Sequence, residues 1–550
     1  MTHIYNKVIM SGKLIMALLL VATIFVSCDD MLFSDSKRLT TADEYNLKAS
    51  ADSVYSMAGV YSRLQKLGDS YVLLGELRAD LMDLGEKSDP SLVQINNFEI
   101  TKDNQYVNIK NYYDVINNCN YIIQKLDTSY LDRGKKLQLR EYGELKTIRA
   151  WTYMQIALNF KTVKYYEYPI LTVQDAQKEI PSIELKDLAD KLIVDLEPLK
   201  NVTYMNIPFG SIFLVNAVLG DLYLWRGSLT NNKADYENAA TAYHKLMFDY
   251  GLDIYKSYAS TWTVVNKALS TDATLNWIMS LTGEAITTIV CPTQYGQKFA
   301  LDTLNNRRSI VPSELALNAW DNQTYYLNDA ATTKGDLRKY GSISYSEATN
   351  KDAQYSNFNF KSSTTDNWLI YKYKWYSQNI ILYRSSLLYL RYAEAVNRLN
   401  KPNLAFAVLK YGLTKINMDK KIPVSEKGVL IPDYMDFTDK RFDYSVGIRM
   451  RGLGNLDQDS TYFVIPNKPT MADSVLYVED KILEELQLET AFDGNRFQDL
   501  MRFTLRRMNT GEGTTSYLAD KIAEKHKDNK EAIRAKLKQS VDNWYIKIEK

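Results

Sequence analysis

Apolar residues recur at intervals of three and four along much of the first half of the chain, and this spacing constrains the fold more than any other feature. The clearest stretch has its apolar positions at Ile109, Tyr112, Ile116, Cys119, Ile123 and Leu126. Such spacing places side chains on one face of an α-helix. Similar patterns occupy 47–61, 145–158 and 185–199. The first half is therefore predicted to be helical, with Cys119 buried and unreactive.

The first of these helices has recognisable end signals. Thr41 and Glu44 have the spacing of a capping box, which favours a helix start. Gly68 follows the last apolar positions and favours a helix end. The sequence thus predicts a helix that begins near Thr41 and ends at Gly68.

Two later stretches resemble helix-turn-helix repeat units. The first matches tetratricopeptide positions in both of its helices, through Leu219, Gly220, Tyr223, Ala239 and Tyr243. Its linking turn is expected to be about seven residues longer than in a regular repeat. The second unit runs from Leu387 to Leu409, with a tight turn at 400–403. Two units so far apart do not make a pure solenoid.

The stretches 255–383 and 416–479 have a different composition. They are rich in Ser, Thr, Asn, Asp, Gly and Tyr, which is typical of loops and short strands. Within the first, Tyr371, Tyr373 and Trp375 alternate with lysines and are predicted to share one face of a strand, packed against helices. The predicted fold class is mostly α, a tetratricopeptide-like helical-repeat scaffold with long loop and short-strand excursions.

The N-terminus resembles an export signal. Residues 1–13 carry Lys7 and Lys13 without an acid, and 14–26 are uncharged. That run is too short for a bilayer span, which needs about 20 residues. Ser27 and Cys28 follow, and a Cys at this junction resembles a bacterial lipoprotein signal, although Phe25 stands where such signals prefer Leu. We expect a signal peptide over 1–27, lipidation of Cys28 and a flexible tether over 28–40; an ordinary secretory signal is the alternative.

Composition limits the possible partners. The chain has 67 Lys and Arg against 66 Asp and Glu, which argues against nucleic acid and against electrostatic membrane binding. No later apolar run reaches 18 residues, so membrane attachment is expected only through Cys28. With three histidines a His-rich metal site is excluded, and His244 and His526 are expected on the surface. No metal and no cofactor is expected.

The most specific pattern lies near the C-terminus. Residues 488–503 read L-E-T-A-F-D-G-N-R-F-Q-D-L-M-R-F. This segment resembles the E-x-A-F-[DE]-G-x-R-[WF]-x-D-L-x-R-[WF] motif of the SusD/RagB family, the surface lipoproteins of Bacteroidetes nutrient-uptake systems. Further resemblances lie, in family order, at Arg149–Trp151, Pro312–Ser313, Asp336–Arg338 and Leu390–Ala395. The chain departs from the family after Ala405 and at its end, where no proline-rich tail follows Lys547.

The same segment predicts a structural clasp from its chemistry alone. A turn at Asp493–Gly494 would join two helices, since glycine permits the backbone angles that such a turn needs. Four apolar side chains would point inward, namely Phe492, Phe497, Leu500 and Phe503. Four charged side chains would pair across the turn, namely Glu489, Arg496, Asp499 and Arg502.

The resemblance implies a binding protein rather than an enzyme. Family members act as lids on a TonB-dependent outer-membrane transporter, to which they deliver an oligosaccharide or, in some branches, a peptide. Asp29 and Asp30 are similar to signals that send such lipoproteins to the outer face of the cell. The resemblance divides the mature chain into an N-terminal helical region, 41–255, and a C-terminal region, 256–550.

Two other classes of function stay open at this point. One is a secreted glycan-active enzyme, and the other is a purely structural scaffold. No HExxH, no G-x-S-x-G and no Gly-rich phosphate loop occurs, but a catalytic carboxylate pair is not revealed by spacing. No catalytic residue is assigned.

The resemblance also suggests where ligand binds. The family's site is formed by an early loop of the helical half and by excursions of the C-terminal half. The matching loop here offers four polar side chains, Asp83, Lys87, Asn96 and Asn97. The excursions offer four indole rings for stacking on sugars, Trp262, Trp320, Trp368 and Trp375.

Overall fold

Helices dominate the part of the chain that the computed structural model describes. The described residues are 50–131, 134, 136–202, 213–249, 284–291, 298–328, 331–345, 368–370, 372–373, 379–453 and 462–547. Nearly all of them belong to one compact unit, 53–550. Cys28, Trp262, Tyr371 and Trp375 lie outside the described residues, as do the predicted helix start at Thr41 and the signal and tether over 1–40.

The N-terminal half consists of long helices with three short strands. The helices are α1 Ser50–Glu76, α2 Pro90–Asn96, α3 Ile109–Lys125, α4 Leu137–Phe160, α5 Val173–Gln177, α6 Leu185–Leu196, α7 Val215–Thr230 and α8 Lys233–Asp249. The strands are β1 Met82–Leu84, β2 Thr162–Lys164 and β3 Ser182–Glu184. The predicted helices at 109–126, 145–158 and 185–199 are confirmed, with a 3₁₀ turn over Glu197–Leu199.

The C-terminal half mixes helices with short strands. Its helices are α9 Ala300–Asn306, α10 Glu314–Asp321, α11 Lys339–Ser342, α12 Ser385–Arg398, α13 Pro402–Lys410, α14 Lys415–Lys421, α15 Val424–Lys427, α16 Met450–Leu453, α17 Met471–Glu489, α18 Arg496–Asn509, α19 Ser516–Ala523 and α20 Lys530–Gln539. Its strands are β4 Ala285–Val290, β5 Ile310–Pro312, β6 Thr324–Asn328, β7 Ala331–Lys334, β8 Ile343–Tyr345, β9 Trp368–Ile370 and β10 Asn379–Arg384. The predicted fold class, mostly helical with short-strand excursions, is confirmed.

The strands pair in twos, always antiparallel, and tie distant parts of the chain together. The pairs are β1–β5, β2–β3, β4–β10, β6–β7 and β8–β9. In β1–β5, Asp83 lies opposite Val311, so the early loop is held against the C-terminal half. None of the helices described is long and apolar enough to be a candidate for crossing a membrane.

Both predicted repeat units are helix-turn-helix pairs, α7–α8 and α12–α13. In the first, a Cβ added to Gly220 would lie 2.6 Å from the Tyr243 ring, so the small residue permits close helix packing. The linking turn is short, because α7 extends to Thr230 and α8 begins at Lys233. The prediction of a turn about seven residues too long was therefore wrong. Asn231 makes the turn in the left-handed conformation, with φ +56°.

Three other sequence predictions were wrong in detail. Helix α1 passes through Gly68 to Glu76, because Gly68 serves packing: a Cβ there would lie 2.5 Å from Phe299. Helix α17 begins at Met471, behind a Thr470 capping box, so the excursion predicted to end at 479 ends earlier. His244 and His526 are both buried rather than on the surface.

Candidate functional site

The segment that resembles the family motif forms the predicted clasp. Helix α17 ends at Glu489, a turn follows, and α18 begins at Arg496. Gly494 has φ +94°, and its N–H donates to Glu76 Oε1 at 2.7 Å. The four predicted inward side chains are all buried. The clasp thus joins the end of α1 to the C-terminal half and is a structural element.

The charged residues of the clasp pair with other elements instead of with one another across the turn. Glu489 accepts hydrogen bonds from Arg338, Arg384 and Arg451 at 3.0, 2.7 and 2.5 Å. Arg496 forms a two-bonded ion pair with Asp80, at 2.7 and 2.8 Å. The predicted pairing was wrong for these two, because the turn directs their side chains towards different neighbours.

Asp499 and Arg502 form a charge pair within α18 and not across the turn, so the predicted pairing was wrong for these two as well. Arg502 contacts Asp499 at 2.8 Å, and it also pairs with Glu394 of α12 at 2.7 and 2.8 Å. Arg506 contacts the same Glu394 carboxylate. Burial raises the pKa of Glu394, but the two guanidiniums outweigh it and lower that pKa to about 2. The family-like landmarks therefore meet in a buried ionic core.

The early loop lies where β1 leads into α2. Asp89 caps α2 by accepting from the Leu92 N–H at 3.0 Å. Asp83 is half-buried and Lys87 is exposed. Asn96 is buried with its side chain 3.4 Å from His526 Nδ1, so its position does not favour direct contact with a ligand.

The predicted stacking tryptophans that the structure describes are core residues. Trp320 is 1% exposed, and its indole N–H donates to the Leu488 carbonyl at 3.2 Å. Trp368 is 2% exposed, in strand β9. Neither ring offers a face to a ligand, because both are buried in the core, as large aromatic side chains often are. Tyr373 is buried too, and its hydroxyl donates to the Phe492 carbonyl at 3.0 Å.

A cleft that the sequence did not reveal lies beyond the early loop, against the C-terminal residues. We call it the terminal cleft; its lining residues are Arg78, Phe98, Ile100, Lys536, Asn543, Trp544, Tyr545, Ile546 and Lys547. The cavity has a volume of about 180 Å³. Sites for drug-sized small molecules typically have roughly 300–1,000 Å³. The terminal cleft is therefore small, with room for one sugar residue of a ligand rather than for a whole oligosaccharide.

One wall of the terminal cleft continues from the predicted loop. After Asn97, Phe98 adopts φ +58°, an uncommon angle for a residue with a side chain. Lys536 of α20 donates to the Asn97 carbonyl at 3.2 Å, which fixes the loop end against the C-terminal helix. Among the predicted loop residues, the structure thus places Asn97 beside the cleft.

The opposite wall is the chain end that follows α20. The Trp544 indole donates to the Leu537 carbonyl at 2.9 Å, and the Ile546 N–H donates to the Asn159 carbonyl at 2.8 Å. These bonds hold the segment in place while the Tyr545 ring stays partly exposed. The Tyr545 hydroxyl makes no hydrogen bond to a described residue, so it is available to a ligand.

Arg78 provides a buried positive charge at the cleft. It is 1% exposed, and its guanidinium carbon lies 4.1 Å from the centre of the Phe497 ring. Burial lowers the pKa of Arg78 to about 9, still well above neutral, so the side chain keeps its charge.

A second cleft, beside the clasp, is a weaker candidate. Its cavity volume is only about 20 Å³, and it is lined by Val72, Leu301, Lys372, Tyr373, Asn379, Ile380, Ile381, Arg384, Phe492 and Asp493. Its cations are already paired, since Lys372 contacts Asp493 at 2.8 Å and Arg384 contacts the same side chain at 2.9 Å. In the described part of the chain no group of three or more potential metal ligands comes together.

The terminal cleft escaped sequence reasoning for a physical reason. Tyr545 lies more than 400 positions after Arg78 and Phe98 along the chain, and no spacing rule connects it with them. The one available signal was the run Trp544–Lys547, which combines two aromatic residues with a basic one.

Comparison with known proteins shows which of them this chain resembles. No family model matches the chain. SusD-like protein P38 of Formosa agariphila is 23% identical over 529 residues, which cover 86% of this chain and 88% of that protein.

Several solved structures have a fold similar to that of this chain. A SusD superfamily protein from Bacteroides vulgatus has a TM-score of 0.54 at 16% identity and covers 85% of this chain and 91% of its own. A SusD homolog from Bacteroides thetaiotaomicron has a TM-score of 0.55 at 14% identity, covering 86% and 90%. A SusD-like carbohydrate binding protein from Bacteroides fragilis has a TM-score of 0.54 at 16% identity, covering 84% and 88%. The chain therefore has the fold of SusD superfamily proteins.

Proposed function

We propose that this protein captures an oligosaccharide in the terminal cleft and delivers it, as a lipid-anchored lid, to a TonB-dependent outer-membrane transporter. The observation that carries the proposal is the cleft itself, which combines aromatic rings with polar groups inside a SusD fold. Among proteins of this fold, one from Bacteroides fragilis is described as a carbohydrate binding protein and one from Bacteroides vulgatus as a putative sugar binding protein.

The cleft has the chemistry that a sugar needs. Phe98 and Tyr545 are partly exposed and offer apolar ring faces, on which the C–H face of a sugar packs. Asn543, Lys536 and Lys547 lie in the same lining and can bond to hydroxyl groups. This arrangement favours binding over catalysis, because the described lining contains no carboxylate, whereas most glycoside hydrolysis uses a pair of them.

The early loop is part of the proposed binding site, next to the terminal cleft. Asn97 adjoins it, and Asp83 and Lys87 remain proposed contacts for the further units of a longer oligosaccharide. A peptide ligand is the second candidate, since backbone amides would use the same polar groups.

Aromatic substitutions test the capture role. Tyr545→Ala and Phe98→Ala should each weaken oligosaccharide binding about tenfold, which corresponds to about 1.4 kcal/mol, measured by isothermal titration calorimetry against a glycan panel. Tyr444 is 64% exposed and does not line the cleft, so Tyr444→Ala is the matched control.

The same titrations separate the competing functions. Release of shortened glycans, detected by mass spectrometry, would favour an enzyme. Binding of peptides but of no glycan would favour the second candidate. Absence of both binding and cleavage would favour a structural scaffold and refute the capture role.

The anchor and the partner need separate tests. Cys28→Ser should release the protein from membranes into the soluble fraction; retention after a high-salt wash would contradict lipidation of Cys28.

For the partner, the protein has an exposed apolar loop at Val429, Leu430 and Ile431, which are 103%, 87% and 58% exposed. Apolar surface of this kind marks interaction sites, and we propose the transporter as its partner.

A charge in the apolar loop tests that assignment. Leu430→Asp should abolish co-purification with the transporter and leave the folded protein intact, because the Leu430 side chain is largely exposed and loses little packing. Ser425→Asp, on exposed surface nearby, is the matched control. Unchanged co-purification of Leu430→Asp would exclude this loop from the interface.

A further inference from the structure

The charges that line the terminal cleft are all of one sign. Arg78, Lys536 and Lys547 belong to the lining, and no acidic residue does among the residues described. The whole chain is nearly neutral, with 67 basic and 66 acidic residues, so this local excess of positive charge is not a consequence of composition.

Arg78 differs from the other fully buried arginines in having no carboxylate partner among the described residues. The others each form at least one ion pair with Asp or Glu, namely Arg149, Arg338, Arg384, Arg451, Arg502 and Arg506. Arg78 instead donates from Nε to the Leu74 carbonyl at 2.9 Å and from Nη1 to the Trp544 carbonyl at 3.2 Å. Its Nη2 donates to Asn159 Oδ1.

These bonds leave part of the guanidinium unused. An arginine side chain has five N–H groups, of which three are occupied here, so one on each terminal nitrogen has no acceptor among the described residues. A buried charge without a counter-ion is costly, since burial removes its water and no carboxylate replaces it. A ligand that brings a negative charge into the cleft would supply the counter-charge that Arg78 lacks.

The acidic residues around the cleft do not supply a counter-ion for its cations. Glu99 lies 3.7 Å from Lys536 Nζ, but its side chain is 66% exposed, so the interaction is weak. Asp542 is 56% exposed and pairs with Lys161 at 2.8 Å. Lys547 Nζ lies 3.2 Å from Oδ1 of the neutral Asn543, and its charge also acts on Asp542, which helps to lower the pKa of that exposed carboxylate. The positive charges therefore remain available at the mouth and in the lining of the cleft.

We propose that the terminal cleft selects an anionic sugar, one that carries a carboxylate or a sulfate. The inference rests on the proposed function and names its substrate class. The anionic group faces Arg78, Lys536 and Lys547, while the ring of the sugar packs on Phe98 or Tyr545. Planar guanidinium and oxyanion groups form charge-assisted hydrogen bonds that are roughly twice as strong as neutral ones.

Matched ligand pairs test the selection. Trigalacturonate and its fully methyl-esterified form have the same sugar backbone but differ in charge. A sulfated galactan oligosaccharide and its desulfated form are the corresponding pair for sulfate. At least one anionic member should bind tenfold or more tightly than its neutral partner, and that preference should weaken as salt rises. Equal affinities within both pairs, or tighter binding of the neutral forms, would overturn the inference.

Lysine variants tie the preference to the cleft. Lys536→Gln and Lys547→Gln should each lower the affinity for the preferred anionic probe threefold to tenfold and leave that for its neutral partner unchanged. Lys538→Gln, on the same helix but outside the lining, is the matched control. Both lysines lie at least partly exposed, so these variants should fold even if Arg78→Met does not. An unaltered preference in the double variant would also contradict the assignment.

The results of these titrations distinguish the selection of anionic sugars from the proposed capture of oligosaccharides in general. Neutral and anionic oligosaccharides that bind equally, with both affinities reduced by Tyr545→Ala, would leave glycan capture standing and remove the charge selection. Loss of all glycan binding in the unaltered protein would refute both.

Discussion

Glu394→Gln removes one negative charge from the buried ionic core while keeping the size of the side chain. In the protein, Glu394 is 1% exposed and accepts two hydrogen bonds from Arg502, at 2.8 and 2.7 Å, and one from Arg506. Gln offers one acceptor oxygen and places an NH₂ group against guanidinium donors. Two buried cations would then lose much of their counter-charge.

The pKa of Glu394 sets the size of the effect. Its ordinary value is 4.5, and the folded-state pKa is about 2 because the two arginines outweigh the effect of burial. Each unit of pKa difference corresponds to about 1.36 kcal/mol, so ionised Glu394 contributes roughly 3 kcal/mol to folding at neutral pH. Breaking a buried ion pair by removing one partner costs about 3–5 kcal/mol in other proteins, which agrees with this figure.

Urea unfolding at several pH values measures that contribution. Since the folded-state pKa is lowered, the stabilisation is complete above pH 4.5 and declines as the pH falls towards 2. Glu394→Gln should therefore be about 3 kcal/mol less stable than the unaltered protein at pH 7, and the gap should narrow below pH 4.5.

A second Glu→Gln change provides the control. Glu524 pairs with Lys530 and Arg534 on the surface, with its side chain 45% exposed, so Glu524→Gln should cost at most about 1 kcal/mol. A loss below about 1 kcal/mol for Glu394→Gln, or a gap that does not change between pH 7 and pH 3, would refute the buried-charge reasoning.

Three further predictions follow from packing. Gly75→Ala should destabilise the protein by at least about 2 kcal/mol in urea unfolding, since the new Cβ would lie 1.8 Å from the Gly494 carbonyl oxygen. Gly59→Ala, in the same helix with nothing within 4 Å, should stabilise it by up to about 1 kcal/mol, and equal effects of the two would contradict the clasp contact. Cys119 should resist iodoacetamide in the folded protein, as followed by mass spectrometry, because burial raises the pKa of its thiol to about 12; rapid alkylation would show that it is accessible. Trp320→Ala should cost about 3–5 kcal/mol of stability, and an unchanged unfolding curve would place its ring outside the core.

The helices were predictable because their signals are local. The spacing along Ile109–Lys125 and along α4 and α6 reports which face is buried, and the structure confirms each of these helices. The clasp was predictable for the same reason, since its turn needs the glycine at 494, which has φ +94°.

The role of Gly68 was predicted wrongly because it depends on a residue that is distant in the sequence. Gly68 was expected to end a helix, but it lies within α1 and leaves room for Phe299, more than 200 positions later. The residues around Gly68 in the sequence do not indicate such a distant packing partner. The wrong charge pairing of Glu489 has the same cause, because its partners come from three other segments.

The candidate site was predictable only in part. The family resemblance led to the early loop, and of its residues Asn97 reaches the terminal cleft through the Lys536 contact. Trp320 and Trp368 were expected to stack on ligand because indole rings serve both binding and packing, and sequence alone does not separate the two. Phe98 and Tyr545 come together only when the chain end packs beside the loop.

A crystal structure of the protein with a bound oligosaccharide tests the central claim most directly. The account predicts a sugar ring in the terminal cleft, packed on Phe98 or Tyr545 at about 4 Å, with polar contacts to Asn543 or Lys536. An oligosaccharide bound elsewhere on the protein, with the terminal cleft empty at saturating ligand, would contradict it.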